Sequence, residues 1–402
     1  MKLVCFSTLF PSSARPGHGI FVETRLRELL KLGGIEAKVV APVPWFPSKH
    51  PRFGSYARMA ATPLREQRNG LDVLHPRYFL PPKVGMHMAP WSLFQGAKRS
   101  LTQLRDEGFD FDLIDAHYFY PDGVAAVELG RYFNRPVTVT ARGSDLHFIT
   151  QFAGPRRRMQ QAAAKADASI GVCNALVDVL RDWSIPSSRL HVFRNGVDLE
   201  RFRPIPQQEA RTALGLQGSP LLLSVGRLVE LKGHHIAIEA LSLLRAQHPQ
   251  ARLVLLGEGE EREPLRQLAD RLGLADAVLF AGAQPNDKLL QWYSAADLFL
   301  LCSSREGWAN VLLEAMACGT PVLATATGGT PEVLTDPRVG TLVQEREARA
   351  FASAALALLA RGVDRAAVRA YAAGFGWRET SEAQQRLFAQ LIDEHRKGSQ
   401  DA

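Results

Sequence analysis

Residues 298–329 read LFLLCSSREGWANVLLEAMACGTPVLATATGG, and the fold can be worked outward from this stretch. LFLLCSS is an apolar strand-like run, NVLLEAMA spaces its apolar residues for a helix, and PVLATATGG is a second strand-like run closed by glycines. A strand, a helix and a second strand in this order build a parallel pair. Glu306 and Glu314 stand eight residues apart across the Gly-containing loop and the helix that follows it. A helix start points free amides at whatever lies before it, which suits a phosphate. A carboxylate two turns into the helix can accept bonds from a ribose.

The same alternation runs back to PLLLSVGRL and includes ARLVLLGEG and AVLFAG, with amphipathic helices between the strands. It also occupies the first half of the chain. KLVCFST reads as a strand, and GIFVETRLRELLKLGG as a helix with Phe21, Leu26, Leu29 and Leu30 on one face. EAKVVAPVP, DLIDAHYF, RPVTVTARG, ASIGVC and RLHVFRN are further strand candidates. The fold class expected is α/β, with two doubly wound parallel sheets in tandem. NGVDLERFRPIPQQ lacks apolar periodicity and carries Pro204 and Pro206, so the domain boundary is placed there: 1–204 for the first domain and 205–378 for the second. Residues 42–96, rich in Pro and aromatics, read as an inserted loop or lid.

A chain of 402 residues fits two large domains or three small ones, at roughly 150 residues each. No apolar run is long enough to span a bilayer and no leader pattern opens the chain, which points to a cytoplasmic protein. Cys5, Cys173, Cys302 and Cys318 are scattered without metal-ligand spacing and read as buried thiols. Residues 1–205 hold 28 Lys and Arg against 18 Asp and Glu, a net of +10. Residues 206–402 hold 20 against 23, a net of −3. The basic half is suited to an acidic partner.

The 305–322 block, with LSVGRLVELKGHHIAIEAL, LVLLGEGEE, LFAGAQPNDKLLQWYSAADLFLLCSS and ATGGTPEVL in order, resembles the E-x7-E signature of the family 4 (group 1) glycosyltransferases. The resemblance implies a GT-B fold: two Rossmann-like domains facing each other across a cleft, with the final helix (about 379–402) packing back on the first. It also implies a retaining, metal-independent transfer from a nucleotide-sugar donor such as a UDP- or GDP-sugar, with no cofactor. HGIFVETRLRELLKLGG, IDAHYFYPDGVAAVELG and TARGSD are similar to the subgroup serving cell-surface polysaccharide (exopolysaccharide or teichuronic acid) assembly. The acceptor implied is a glycan or a polyprenyl-diphosphate-linked glycan.

Cleaving a sugar–diphosphate bond leaves negative charge on the departing phosphate, which calls for fixed cations and oriented amides. Arg227 and Lys232, in G-R-x4-K-G after LLLSV, are the candidate cations, and in the resembled family these positions hold the diphosphate. By the same resemblance Glu306 touches the donor sugar, Glu314 the ribose hydroxyls, and the amides around Ala309, Asn310 and Val311 the phosphates. In the first domain, Gly17 and Gly19 occupy the place of the family's Gly-rich loop, with His18 between them where most members have adjacent glycines. His117 ends a strand at the sheet's carboxyl edge, and the resemblance places it beside the reacting carbon. Arg142 stands where many relatives have a histidine, in a run that continues to Asp145. Arg142, Asp145 and His18 are candidate acceptor or sugar contacts, and an arginine there suits an anionic substrate.

Other signals are discounted. Asp110 and Asp112 form a D-x-D that precedes its strand instead of ending one. Gly257 and Gly259 lack the third glycine of a dinucleotide fingerprint and are followed by acids. Basicity alone supports nucleic-acid binding, so none is expected. A GT-B sugar-nucleotide 2-epimerase and a non-catalytic polysaccharide-binding scaffold are the alternative functions. Lys83, Val84, Met86, Met88, Trp91, Leu93, Phe94, Lys98 and Arg99, with Arg156, Arg157 and Arg158, have the composition of a contact with anionic lipid. A covered helix and a solvated arginine run have the same composition.

Overall fold

A computed structural model describes residues 1–81 and 85–400, with side chains to residue 398; Lys83 and Val84 of the apolar stretch above lie outside them. The chain forms two compact units, one of residues 1–194 with 378 onward and one of residues 195–377. The change of unit comes ahead of Pro204. Residues 195–203 pack on the second unit because Arg369 donates to the carbonyls of Phe202 at 2.6 Å and Leu199 at 2.9 Å, and Val197 N–H donates to Phe375 O at 2.8 Å.

In the first unit the strands are β1 (Lys2–Phe6), β2 (Glu36–Val40), β3 (Val43–Pro44), β4 (Arg65–Arg68), β5 (Leu71–Leu74), β6 (Arg77–Tyr78), β7 (Leu113–His117), β8 (Val137–Ala141), β9 (Ala168–Gly171) and β10 (Leu190–Val192). Eight of them form one sheet in the order β10-β9-β8-β7-β1-β2-β5-β4, parallel except for the β4–β5 pair. The second unit carries β11 (Leu221–Val225), β12 (Arg252–Leu256), β13 (Val278–Gly282), β14 (Leu298–Leu301), β15 (Val322–Thr325) and β16 (Gly340–Val343). They form a wholly parallel sheet in the order β13-β12-β11-β14-β15-β16.

Parallel strands covered by helices on both faces are buried on both faces, which is why β14 reads as an unbroken apolar run and β8 and β15 as runs of apolar and small residues; β7 is buried along its whole length as well, although it carries Asp115 and His117. In the second unit Leu222, Leu255, Leu300 and Leu323 pack with Ile236, Phe351 and Leu358 from the flanking helices. Each such side chain contributes about 1.5–3 kcal/mol through burial. In the first unit Leu3, Leu113 and Ile170 meet Phe388, Leu391 and Ile392 of the last helix, Trp377–Gln400. That helix also buries Gln384. On the Ile20–Leu30 helix, Val22, Leu26 and Leu29 face inward together with Glu23 and Arg25, while Phe21 and Leu30 are half-buried.

Segment 42–96 is not a free loop or lid. It supplies β3 to β6 and the start of the Gly85–Asp106 helix. Asn69 and Gly70, with φ of 49° and 80°, make the tight turn of the β4–β5 hairpin.

Candidate functional site

When the strands of an open parallel sheet run in the order 3-2-1-4-5-6, the loops leaving the first and fourth strands part to opposite faces and leave a crevice at the carboxyl edge. In the second unit those strands are β11 and β14. The turn after β11 carries Arg227 and Lys232, and the loop after β14 carries Glu306 and leads into the Asn310–Ala317 helix, which carries Glu314.

Lys232 Nζ donates to Glu306 Oε1 at 2.6 Å. The Lys232 side chain is 24% exposed and that of Glu306 11%, so the pair sits in a shielded wall of the crevice. Arg227 is exposed and its side chain makes no hydrogen bond or ion pair among the described residues. Three loops hold this arrangement. Ser304 N–H donates to Leu231 O at 2.8 Å, and Thr327 Oγ1 donates to Ser304 O at 3.1 Å. Gly328, with φ 52°, backs onto Glu306 so closely that a Cβ would lie 1.8 Å from the Glu306 carbonyl oxygen.

His234, absent from the sequence expectations, fixes the Arg227 turn. Its Nε2 lies 3.1 Å from Arg227 O and its Nδ1 3.2 Å from Ser224 Oγ. A carbonyl only accepts, so Nε2 carries the proton and Nδ1 takes the serine's. Burial holds the imidazole pKa down to about 4, and the ring is neutral. Gly257 packs on the same turn, where a Cβ would fall 1.8 Å from Gly226 O. The G-x-G after β12 therefore serves backbone packing.

Glu314 is anchored by Tyr293, whose hydroxyl donates to Oε2 at 2.7 Å. Burial pushes the Glu314 carboxyl above its ordinary range, against the pull of the Tyr293 hydroxyl and Arg201. Oε1 makes no hydrogen bond among the described residues. The helix begins after the buried Ala309 without a side-chain cap. Asn310 N–H bonds to Trp308 O and Leu312 N–H to Ala309 O, while the Val311 amide between them makes no such turn bond among the described residues. Asn310 Oδ1 accepts from Asn195 Nδ2 at 3.2 Å.

In the first unit the strand order reverses at β1 and β7. Gly19, with φ 70°, is the N-cap of the Ile20–Leu30 helix, and a Cβ there would lie 2.2 Å from Leu9 O. Gly17 is exposed with open space around it, so only Gly19 is sterically required. His18 Nε2 donates to Thr8 O at 3.1 Å, and burial, with Arg15 nearby, lowers its pKa. Asp122 accepts from both the N–H and the hydroxyl of Thr8, fixing the same loop. Burial raises the Asp122 pKa to about 7.

His117 ends β7 as expected, but it is almost wholly buried and both ring nitrogens are engaged. Arg142 Nη2 lies 2.7 Å from Nδ1, and Asp115 Oδ2 lies 3.3 Å from Nε2. A guanidinium only donates, so Nδ1 accepts and Nε2–H faces the carboxylate. Burial, opposed by Asp115, brings the His117 pKa down to about 4. Asp115 also accepts from Thr138 at 2.9 Å and from Gln384 at 3.2 Å, and Gln384 in turn accepts from Arg25 at 2.8 Å. Asp145 accepts from the amides of Phe119 at 2.9 Å, Arg142 at 3.1 Å and Gly143 at 2.8 Å. Its carboxylate thus organises the loops after β7 and β8. Of the discounted D-x-D, Asp110 pairs with Arg135, and Asp112 with Arg396 and the Lys2 amide.

Residues 206–375 match the family described as Glycosyl transferases group 1, and residues 17–201 match Glycosyltransferase Family 4. A Bacillus subtilis chain named for teichuronic acid biosynthesis, the glycosyltransferase TuaC, is 31% identical over 88% of each chain. A D-inositol 3-phosphate glycosyltransferase of Corynebacterium urealyticum is 32% identical over 74% of this chain and 75% of its own. Among solved structures, Anabaena HepE in complex with UDP-glucose superimposes with a TM-score of 0.70 at 21% identity, covering 98% of this chain and all of that one. Its likeness shows a shared fold, GT-B, built of two Rossmann-like units.

Proposed function

Because the chain belongs to the group 1, family 4 glycosyltransferases, we propose that it moves a hexosyl group from a UDP- or GDP-sugar to a glycan or lipid-linked glycan, with retention and without a metal. One observation carries this reading: an exposed Arg227, unpaired among the described residues, and the Lys232–Glu306 pair occupy the switch point of the β11–β14 sheet. Arg227 and Lys232 would take the charge that develops on the departing diphosphate, joined by the first amides of the Asn310–Ala317 helix. Lys232 must exchange Glu306 for phosphate, which releases the Glu306 carboxylate to accept from sugar hydroxyls. The open Oε1 of Glu314 would accept from the ribose diol while Tyr293 holds Oε2.

In the first unit, Gly19 brings helix amides to the β1 edge and the Asp115–His117–Arg142 chain shapes the adjoining wall. HepE, similar in fold, is solved with UDP-glucose, which supports a nucleotide-sugar donor, and TuaC is named for teichuronic acid biosynthesis, which supports polysaccharide assembly. The test is to incubate the protein with UDP- and GDP-sugars and a membrane glycolipid extract, and to follow nucleoside diphosphate release and the anomeric configuration of the product by NMR. Release of one diphosphate with a retained anomer is expected; formation of an epimerised donor without transfer, or no turnover of any donor, would overturn the reading.

A further inference from the structure

Beyond the transfer reaction, two segments of the first unit combine exposed apolar side chains with arginines and carry no acid of their own; the part-exposed acid Glu128 pairs with Lys165 at the far end of the second segment. Residues 79–105 and 146–166 contain no Asp or Glu. The structure brings these two segments together. Arg158 donates to the His87 carbonyl, and a Cβ on Gly154 would lie 3.3 Å from the His87 ring. Phe79 N–H donates to Ser92 Oγ at 2.7 Å, which draws the end of the first segment's extended chain onto the Gly85–Asp106 helix. At this junction Trp91 is 62% exposed, and Phe79, Met88, Phe148 and Phe152 are exposed as well. Phe148 and Phe152 meet edge to face at 5.8 Å. Arg156 and Arg157 are exposed on the neighbouring Ala153–Lys165 helix, while the nearby acids Asp122 and Asp145 are buried.

Scattered exposed hydrophobics are ordinary on a protein surface, but a cluster bordered by cations and free of acids is not. No helix among the described residues is long and apolar enough to cross a membrane, so the contact this face can make with lipid is interfacial. Trp and Phe side chains settle at the headgroup level of a bilayer, Met fills the acyl boundary, and arginines pair with lipid phosphates. We propose that the face formed by the starts of the Gly85–Asp106 and Ala153–Lys165 helices docks the protein on an anionic lipid bilayer, with Trp91 and Phe152 entering the interface and Arg156 and Arg157 on the headgroups. The surface lies within the first unit and does not depend on the sugar donor.

The test is co-sedimentation of the full chain with phosphatidylcholine vesicles, with and without phosphatidylglycerol, at low and high salt. Binding to the anionic vesicles, weakened by salt, is expected. The double variant Trp91→Ser with Phe152→Ser should lose most of it, and Arg156→Gln and Arg157→Gln should each lower partitioning about fivefold. Unchanged melting curves show that the variants fold, and unchanged nucleoside diphosphate binding separates this surface from the donor site. No sedimentation with anionic vesicles, equal sedimentation by the Trp91→Ser, Phe152→Ser protein, or binding to heparin or an oligonucleotide in place of vesicles would overturn the proposal.

Discussion

Lys232 and Glu306, 74 positions apart in sequence, form a 2.6 Å ion pair where the loops of β11 and β14 converge. In the proposed function both partners serve the donor, Lys232 its phosphate and Glu306 its sugar, and here each occupies the other. Replacing Glu306 by Gln removes the competitor for Lys232. Binding of the nucleoside diphosphate should then strengthen, by on the order of tenfold, while transfer falls by about 100-fold or more. Calorimetry with the diphosphate, paired with a transfer assay, checks both. Weaker diphosphate binding by the variant would contradict the exchange.

Lys232→Ala should abolish transfer, by about 100- to 1000-fold, and leave the fold intact. Loss of this mostly shielded pair costs about 1–2 kcal/mol, between the values for surface and buried ion pairs. Transfer rates and urea unfolding measured together would separate the two effects; full residual activity would remove Lys232 from the mechanism.

Tyr293→Phe deletes the one side-chain hydrogen bond that orients Glu314 among the described residues. The expected result is a several-fold rise in KM for the donor with a smaller change in kcat, because the ribose is bound equally in ground and transition states. Stability should fall by about 1.5–3 kcal/mol, as for a hydrogen bond to a charged group.

Gly328→Ala would place a methyl 1.8 Å from the Glu306 carbonyl at a φ of 52°. The loop must shift, so activity should drop sharply with a stability loss of about 2 kcal/mol or more. Wild-type activity in this variant would show that Glu306 tolerates displacement.

Two buried imidazoles set an acid limit. His117 and His234 have folded pKa values of about 4 against the usual 6.5, so between these values the unfolded chain binds more protons. Their contribution to stability is therefore present above pH 6.5 and is lost as the pH falls toward 4. Asp122, raised to about 7 from 3.8, has the opposite slope, as do the carboxyls of Asp145 and Glu314, which burial also raises, whereas His18 and His191, lowered by burial, add to the first two: four imidazoles against three carboxyls. The melting temperature should fall on acidification from pH 7 to pH 5, and His234→Gln should flatten that fall.

The second unit's sheet and the turns at its switch point were legible because their signals are local: an apolar run, a cationic turn and two glutamates fall within short stretches that stay together in the fold. The buried relays were not. Asp115, His117 and Arg142 meet Gln384 from the last helix, and no local pattern joins residues so distant in sequence. Tyr293 sits on a helix whose sequence reads only as core until Glu314 is placed beside it. The β4–β5 hairpin escaped notice because its edge strand is REQR, polar at every position, although the Asn69–Gly70 turn was a readable signal. The change of unit at residue 195 depends on Arg369, far along the chain, which pulls residues 199–202 onto the second unit.

The central claim, a nucleotide-sugar donor held by the second unit, is tested most directly by thermal stabilisation with UDP, GDP, ADP and NAD, using Glu314→Gln as the control. A ligand at about a hundred times its Kd adds about 2.7 kcal/mol to the folded state. Stabilisation by one nucleoside diphosphate, reduced in the control, is the predicted result and would name the base; a response to NAD alone, or to none of the four, would contradict the account.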